Sequence, residues 1–175
     1  YSKNEHFRKI KIKRVVTDQV ALTKDELESI NNLDLSASKK LERVRDVFIL
    51  GCNTGLRFSD YKRISRGHVS NGYITVRETK DKSKTQRIPL SKTAQEILEK
   101  YDYKLPKISD QKFRDYIKDV ANLAGINEPV IKVVQIGNQT KEELTTRNKR
   151  VSTHTARRTF ITIMKNMKVP DTIIM

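Results

Sequence analysis

The sequence predicts a mainly helical α+β domain with a small three-stranded antiparallel sheet. Three observations point there. Apolar residues recur at helical spacing through Leu41, Val44, Val47, Phe48 and Cys52; the period drops to two at Tyr73–Arg77; helical patterns then return over residues 91–101 and 110–124 and beyond residue 152. With 175 residues, 36% of them hydrophobic, the chain has enough apolar side chains for one core.

Each element has a local cause. Residues 1–20 are basic and poor in periodic apolar positions, so they read as a connector. Thr23-Lys24-Asp25-Glu26 is a capping-box pattern that opens a short helix with Leu27 and Ile30 on one face. A longer helix begins near Ser38, and Gly55 is placed to end it in a left-handed cap. Tyr73, Thr75 and Arg77 alternate with Ile74 and Val76 in a strand. A polar turn through Lys80-Asp81-Lys82-Ser83-Lys84 leads to a second strand at Arg87-Ile88-Pro89-Leu90, making a hairpin with a basic tip. Helices follow at Ser91–Tyr101 and Asp110–Ala124, the latter stopped by Gly125. Ile131–Ile136 is the candidate third strand, and residues 137–150 read as polar and turn-like. Ser152 or Thr153 then caps a helix carrying His154, Arg157, Arg158, Phe160 and Ile161.

Charge narrows the function classes. Thirty-six Lys and Arg against 21 Asp and Glu give a net charge of +15. The excess is spread over three segments: six basic and two acidic side chains in residues 1–20, six and two in residues 77–92, eight and two in residues 141–168. Separate basic segments that converge on one face make a phosphate-lined nucleic-acid site; the alternative is a generally solvated basic surface. No apolar run is long enough to cross a bilayer, no basic amphipathic helix with bulky apolar anchors stands out, and the start has no signal-peptide character, so a cytoplasmic location is expected. Cys52, the only cysteine, follows Val47-Phe48-Ile49-Leu50 and reads as a core residue rather than a nucleophile.

Arg57 lies just past the helix-ending glycine in Thr54-Gly55-Leu56-Arg57-Phe58-Ser59-Asp60. If a helical turn follows, Asp60 meets it and holds the guanidinium fork toward a phosphate; an ordinary salt bridge is the alternative. His154 and Arg157 stand one turn apart on a helix face. Arg supplies permanent charge to phosphate oxygens and His moves a proton near neutral pH, although a solvent-facing helix would look the same. Taken with the hairpin lysines, these groups make a set of cations suited to stabilising a pentacoordinate phosphorane. The sequence has no clustered carboxylates for two-metal nuclease chemistry and no glycine-rich nucleotide loop.

These pieces, Thr54-Gly55-Leu56-Arg57 with Ser59-Asp60, the hairpin ending in Ile88-Pro89-Leu90, and Ser152-Thr153-His154-Thr155-Ala156-Arg157-Arg158-Thr159-Phe160, together resemble the tyrosine recombinases, most closely integrases of bacterial mobile elements. The resemblance implies the catalytic-core fold of DNA breaking-rejoining enzymes over residues 21–175. It makes residues 1–20 a linker from an N-terminal core-binding domain. It implies that Arg57 and Arg157 bind the scissile phosphate, that His154 donates a hydrogen bond or carries a proton, and that Lys80, or Lys82 close behind it, protonates the leaving 5′ oxygen. Asp60 supports the set, and Lys82, Lys84, Arg87, Arg150 and Arg158 are DNA contacts.

The family pattern continues to a second histidine or tryptophan and then to the attacking tyrosine. None of the six tyrosines follows Arg157, so the nucleophile is expected beyond Met175 and this fragment is expected not to cleave DNA alone. The chemistry implied needs no metal and no other cofactor. Double-stranded DNA is the implied partner, the intact protein acting as a homotetramer at the bacterial nucleoid and the fragment being a monomer. A non-catalytic DNA-binding module, a degenerate recombinase, or an RNA-binding domain using the same basic surface are the alternatives.

Overall fold

The computed structural model describes residues 20–136 and 139–174. The connector expected over residues 1–20 lies outside the described residues apart from Val20, which is buried. The order is α1 (Lys24–Asn31), α2 (Lys39–Thr54), α3 (Phe58–Tyr61), β1 (Val69–Ser70), β2 (Tyr73–Arg77), β3 (Thr85–Pro89), α4 (Lys92–Lys100), α5 (Asp110–Leu123), β4 (Pro129–Ile136), β5 (Gln139–Thr146), α6 (Thr153–Asn166) and α7 (Asp171–Ile174). Among the described residues no helix is long and apolar enough to cross a membrane.

The central element is α2. Its second half, from Val47 to Cys52, is buried on every side, as expected of a helix that α1, α4, α5 and α6 surround. Gly51 permits close approach: a Cβ there would lie 2.7 Å from Tyr61 Cε1 and 3.0 Å from Ala156 Cβ, so its absence lets α3 and α6 close onto α2. Cys52 is buried, and burial pushes its thiol up, away from nucleophilic character.

The small sheet has the order β1-β2-β3, all antiparallel, with Ile74 opposite Ile88 and Val76 opposite Gln86. Ile74 and Val76 face the core, as the alternation predicts. Its third strand is Val69–Ser70, not Ile131–Ile136. The signal is Asn71-Gly72: both residues have positive φ, 50° and 76°, the geometry of a two-residue hairpin turn joining Ser70 to Tyr73. Residues 129–136 pair instead with Gln139–Thr146 in a separate two-stranded sheet, so the stretch expected to be turn-like contains a strand. Gln139-Thr140-Lys141-Glu142-Glu143-Leu144 is polar on both faces and exposed where described. It carries no burial period and is held by its ladder and by cross-strand pairs such as Lys132 opposite Glu143.

A polar network locks α4 to α2. Buried Asp46 accepts from Lys100 Nζ at 2.7 Å and Tyr101 Oη at 2.7 Å on one oxygen, and from Arg45 Nε at 2.9 Å on the other. Lys100 Nζ also reaches Glu42 at 2.7 Å, and Lys39 reaches the same carboxylate at 3.1 Å. These bonds, Lys100 first, lower the Glu42 carboxyl from its ordinary 4.5 to about 2. A folded pKa below the unfolded one gives stability that is complete above pH 4.5 and is lost as pH falls through about 2. Glu42→Gln should therefore lower the urea midpoint at neutral pH, and the gap between variant and parent should close as pH falls across that window.

Candidate active site

The site is assembled where α2 ends. Gly55 terminates the helix at φ 65° and ψ 5°, its N–H donating to Gly51 O at 3.0 Å. The Phe160 ring of α6 occupies the space a Cβ would need, so glycine is required both for the backbone and for the neighbour. Leu56 is buried just beyond, and Arg57, in extended conformation, caps α3.

The partner of Arg57 is Glu78, not Asp60. Arg57 Nη1 donates to Glu78 Oε2, and the buried carboxylate receives Gln86 Nε2 on its other oxygen at 2.6 Å. The non-helical backbone at Arg57 turns its side chain away from the i+3 position, while the turn of α3 points Asp60 under the β2–β3 hairpin. There Asp60 Oδ1 accepts from Thr79 N at 2.9 Å and Thr79 Oγ1 at 2.5 Å. Asp60 thus fixes the residue from which Lys80 springs. Glu78 escaped the sequence reading, although it continues the inward parity of Ile74 and Val76. With 37% of its side chain exposed, Arg57 is clamped along one edge and leaves donors facing outward.

Arg157 enters from α6. Ser152 N donates to Thr155 Oγ1 at 3.0 Å at the start of this helix, and His154 projects from its first turn into solvent. One turn on, half-buried Arg157 donates from Nη1 to Gly55 O at 2.9 Å. Burial lowers the Arg157 pKa first, and the positive charge of Arg57 lowers it further; Glu78 and Asp60 oppose both. The charges of Arg57 and Arg157 thus feel each other, with Glu78 as a counter-charge to both. A cleft of about 350 Å³ opens beside Arg157, lined also by Gly55, Arg87, Phe160, Ile173 and Ile174.

Two further interactions hold α6. Buried Thr159 Oγ1 accepts from Leu22 N at 3.0 Å. Arg147, just before α6, donates to Glu26 at 2.6 Å and to Ala21 O at 2.8 Å. The segment that precedes α1 thus reaches the helix that carries His154 and Arg157, a link with no local signature in the sequence.

The remaining candidates divide. Lys80 and Lys82 are exposed and have no hydrogen-bond or ion-pair partner among the described residues; Lys84 lies 3.9 Å from Asp81. Lys82 sits on the turn itself, while Lys80 follows the residue that Asp60 anchors. Arg87 stacks on Tyr73 with its guanidinium carbon 4.0 Å from the ring centroid, at the cleft. Arg158 is half-buried, and burial lowers its pKa. Arg150 is turned toward the second hairpin, where Nη1 donates to Ile131 O at 3.4 Å. Among the described residues no three His, Cys, Asp or Glu side chains gather as metal ligands.

This fold is that of the tyrosine recombinase catalytic domain. XerH site-specific recombinase bound to its difH substrate before cleavage superposes with a TM-score of 0.58 at 15% identity, over 88% of this chain and 45% of that one. Its post-cleavage complex with palindromic difH gives 0.60 at 16% identity, over 93% and 47%. A lambda integrase tetramer bound to a Holliday junction gives 0.64 at 17% identity, over 99% and 50%. The chain spans about half the length of these solved recombinases. Residues 21–175 match the phage integrase family, and the chain belongs to it. No curated protein matches the sequence.

Replacing Gly55 with alanine tests the assembly point. Left-handed strain and overlap with Phe160 should together cost roughly 2–4 kcal/mol of stability, measured by chemical denaturation.

Proposed function

We propose that the intact protein is a site-specific DNA recombinase or integrase and that this chain supplies the part of its active site that grips phosphate and moves protons. The observation that carries the reading is a pair of tethered guanidinium groups past the end of α2, Arg57 held by Glu78 and Arg157 by the Gly55 carbonyl. Two preorganised guanidinium groups on the non-bridging oxygens stabilise the charge that develops as phosphorus becomes pentacoordinate. His154, exposed one turn before Arg157, is a hydrogen-bond donor or proton carrier to the same phosphate.

In this mechanism a tyrosine from beyond residue 175 attacks phosphorus through its phenolic oxygen, its proton passing to His154 or to solvent. The bond to the 5′ oxygen breaks, Lys80 gives that oxygen its proton, and a 3′-phosphotyrosyl link remains. Attack by a 5′ hydroxyl from the partner strand reverses the chemistry and conserves bond energy, with no metal or nucleotide required. Anchoring of Thr79 by Asp60 favours Lys80 over Lys82. This chain alone binds double-stranded DNA as a monomer and does not cleave it; the intact protein acts as a tetramer on paired sites at the bacterial nucleoid. Lys82, Lys84, Arg87 and Arg158 add contacts around the duplex.

The full-length parent, given nicked suicide substrates carrying its own attachment site, should form a covalent adduct. Arg57→Ala and Arg157→Ala should each slow adduct formation roughly 10²–10³-fold. Absence of any adduct would leave a non-catalytic DNA-binding module. To separate the two lysines, the leaving 5′ oxygen is replaced by sulfur, whose thiolate departs without a proton. Lys80→Ala should be slow on the oxygen substrate and restored on the sulfur one, whereas Lys82→Ala should change little on either.

A further inference from the structure

Three carboxylates are buried among the described residues: Asp46, Asp60 and Glu78. Asp46 locks α4 to α2 and Asp60 secures Thr79, so each of these joins one element to another. Glu78 differs in that one of its partners is Arg57. A buried carboxylate is costly unless its oxygens are satisfied, and Gln86 Nε2 bonds the second one at 2.6 Å while Arg57 Nη1 takes the first. The Arg57 side chain is 37% exposed against 7% for Glu78, so the acid is the fixed member of the pair.

The backbone under Glu78 is held on both sides. Arg63 Nη2 donates to Arg77 O, and Thr79 N donates to Asp60 Oδ1 at 2.9 Å. Glu78 N itself donates to Lys84 O at 3.0 Å, one step beyond Arg77 and Thr85, the last paired residues of β2 and β3. Gln86, opposite Val76, is then its diagonal neighbour across the hairpin. Three successive residues before Lys80 are therefore anchored, and the middle one reaches back to Arg57 at the start of α3. Arginine is a long side chain with many rotamers, so a loose guanidinium must be ordered by the anion it receives. One already held meets the anion in place.

Resting on the recombinase reading for what Arg57 grips, we infer that Glu78, held in turn by Gln86, is a positioning residue. It sets the direction of the Arg57 guanidinium before phosphate arrives and registers it to the hairpin that bears Lys80. The alternative is an ordinary surface ion pair, whose loss changes little. Two features stand against that alternative. Glu78 is buried, and its charge opposes the effect of Arg57 on Arg157, so the acid bears on both guanidinium groups. Gln86 also lines the cleft beside Arg157, so a chain of bonds runs from the cleft wall through Gln86 and Glu78 to Arg57.

Adduct formation by the full-length parent on nicked suicide substrates gives one readout. Nitrogen-15 relaxation of the Arg57 Nε–H group in this chain gives a second that needs no reaction. Glu78→Ala should slow adduct formation at saturating protein about 10²-fold and change duplex affinity less than about threefold. In an Arg57→Ala background the same substitution should slow the reaction no further, because nothing is left to position. Gln86→Ala, at a part-exposed site, should slow it about three- to tenfold, and only while Glu78 is present. Glu78→Gln, which keeps the reach and an acceptor for Arg57, should be at least about fivefold faster than Glu78→Ala. The Arg57 Nε–H order parameter should fall from about 0.8 to below about 0.6 in Glu78→Ala. Melting temperatures report folding, and if Glu78→Ala does not fold, Gln86→Ala carries the same comparison. Equal slowing with and without Arg57 overturns the proposal. So does a Glu78→Gln rate no better than that of Glu78→Ala, or an Arg57 side chain equally mobile in the unaltered chain and the variants. Absence of any adduct from the unaltered parent, with Arg57 rigid in this chain and freed by Glu78→Ala, would remove the recombinase reading and leave the positioning of Arg57 standing.

Discussion

The carbonyl of Gly55 and the backbone around it constrain nearly everything else at the site. A left-handed residue must stand there to stop α2, and the reversal sends Arg57 to Glu78 while presenting the Gly55 carbonyl to Arg157. Phe160, one turn of α6 beyond Ala156, seals the other side of the same residue. A single backbone conformation therefore sets the spacing between two guanidinium groups that are far apart in sequence. Arg157 is tethered to a carbonyl rather than a carboxylate, so its charge is not cancelled by a direct ion pair, and burial strengthens the field it projects.

Glu78 and Asp60 divide the work of support. Glu78 is buried and takes Arg57 and Gln86, which would be costly for a carboxylate left without partners. Asp60 is more deeply buried still and secures Thr79, so the hairpin that bears Lys80 is pinned to the short helix that follows Arg57. Arg57 and the lysine hairpin are thereby registered to each other through buried acids on α3 and β2. The positions of the proposed acid and the proposed phosphate clamp are mechanically linked even though their charged ends are exposed.

How much of this was legible follows from where the determining signal lies. The capping box at Thr23, the stop at Gly55, the alternation through Ile74 and Val76 and the helix over Asp110–Leu123 are local patterns, and they appear as read. The β5 strand was hidden because neither of its faces is buried, so no period marks it; β1 is two residues long and announced only by Asn71-Gly72. At the site, Arg57, Lys80, Lys82, His154 and Arg157 could be named from their chemistry and from the resemblance. The partner of Arg57 could not be found by spacing along one helix, because it comes from across a strand. Thr159 bonding Leu22 depends on tertiary approach alone.

That last bond has a consequence for how the protein comes into being. It joins positions separated by 137 residues, and the Arg147–Glu26 pair spans 121. Links of such separation close only after the intervening chain has largely condensed, because the entropy of closing so long a loop must first be met by shorter-range packing. The helix bearing His154 and Arg157 is thus fully held only when both ends of the domain have been made and brought together. On a ribosome the seating of this helix is consequently among the last features to form, and a nascent chain carries its basic segments for most of its synthesis without the geometry that brings them together.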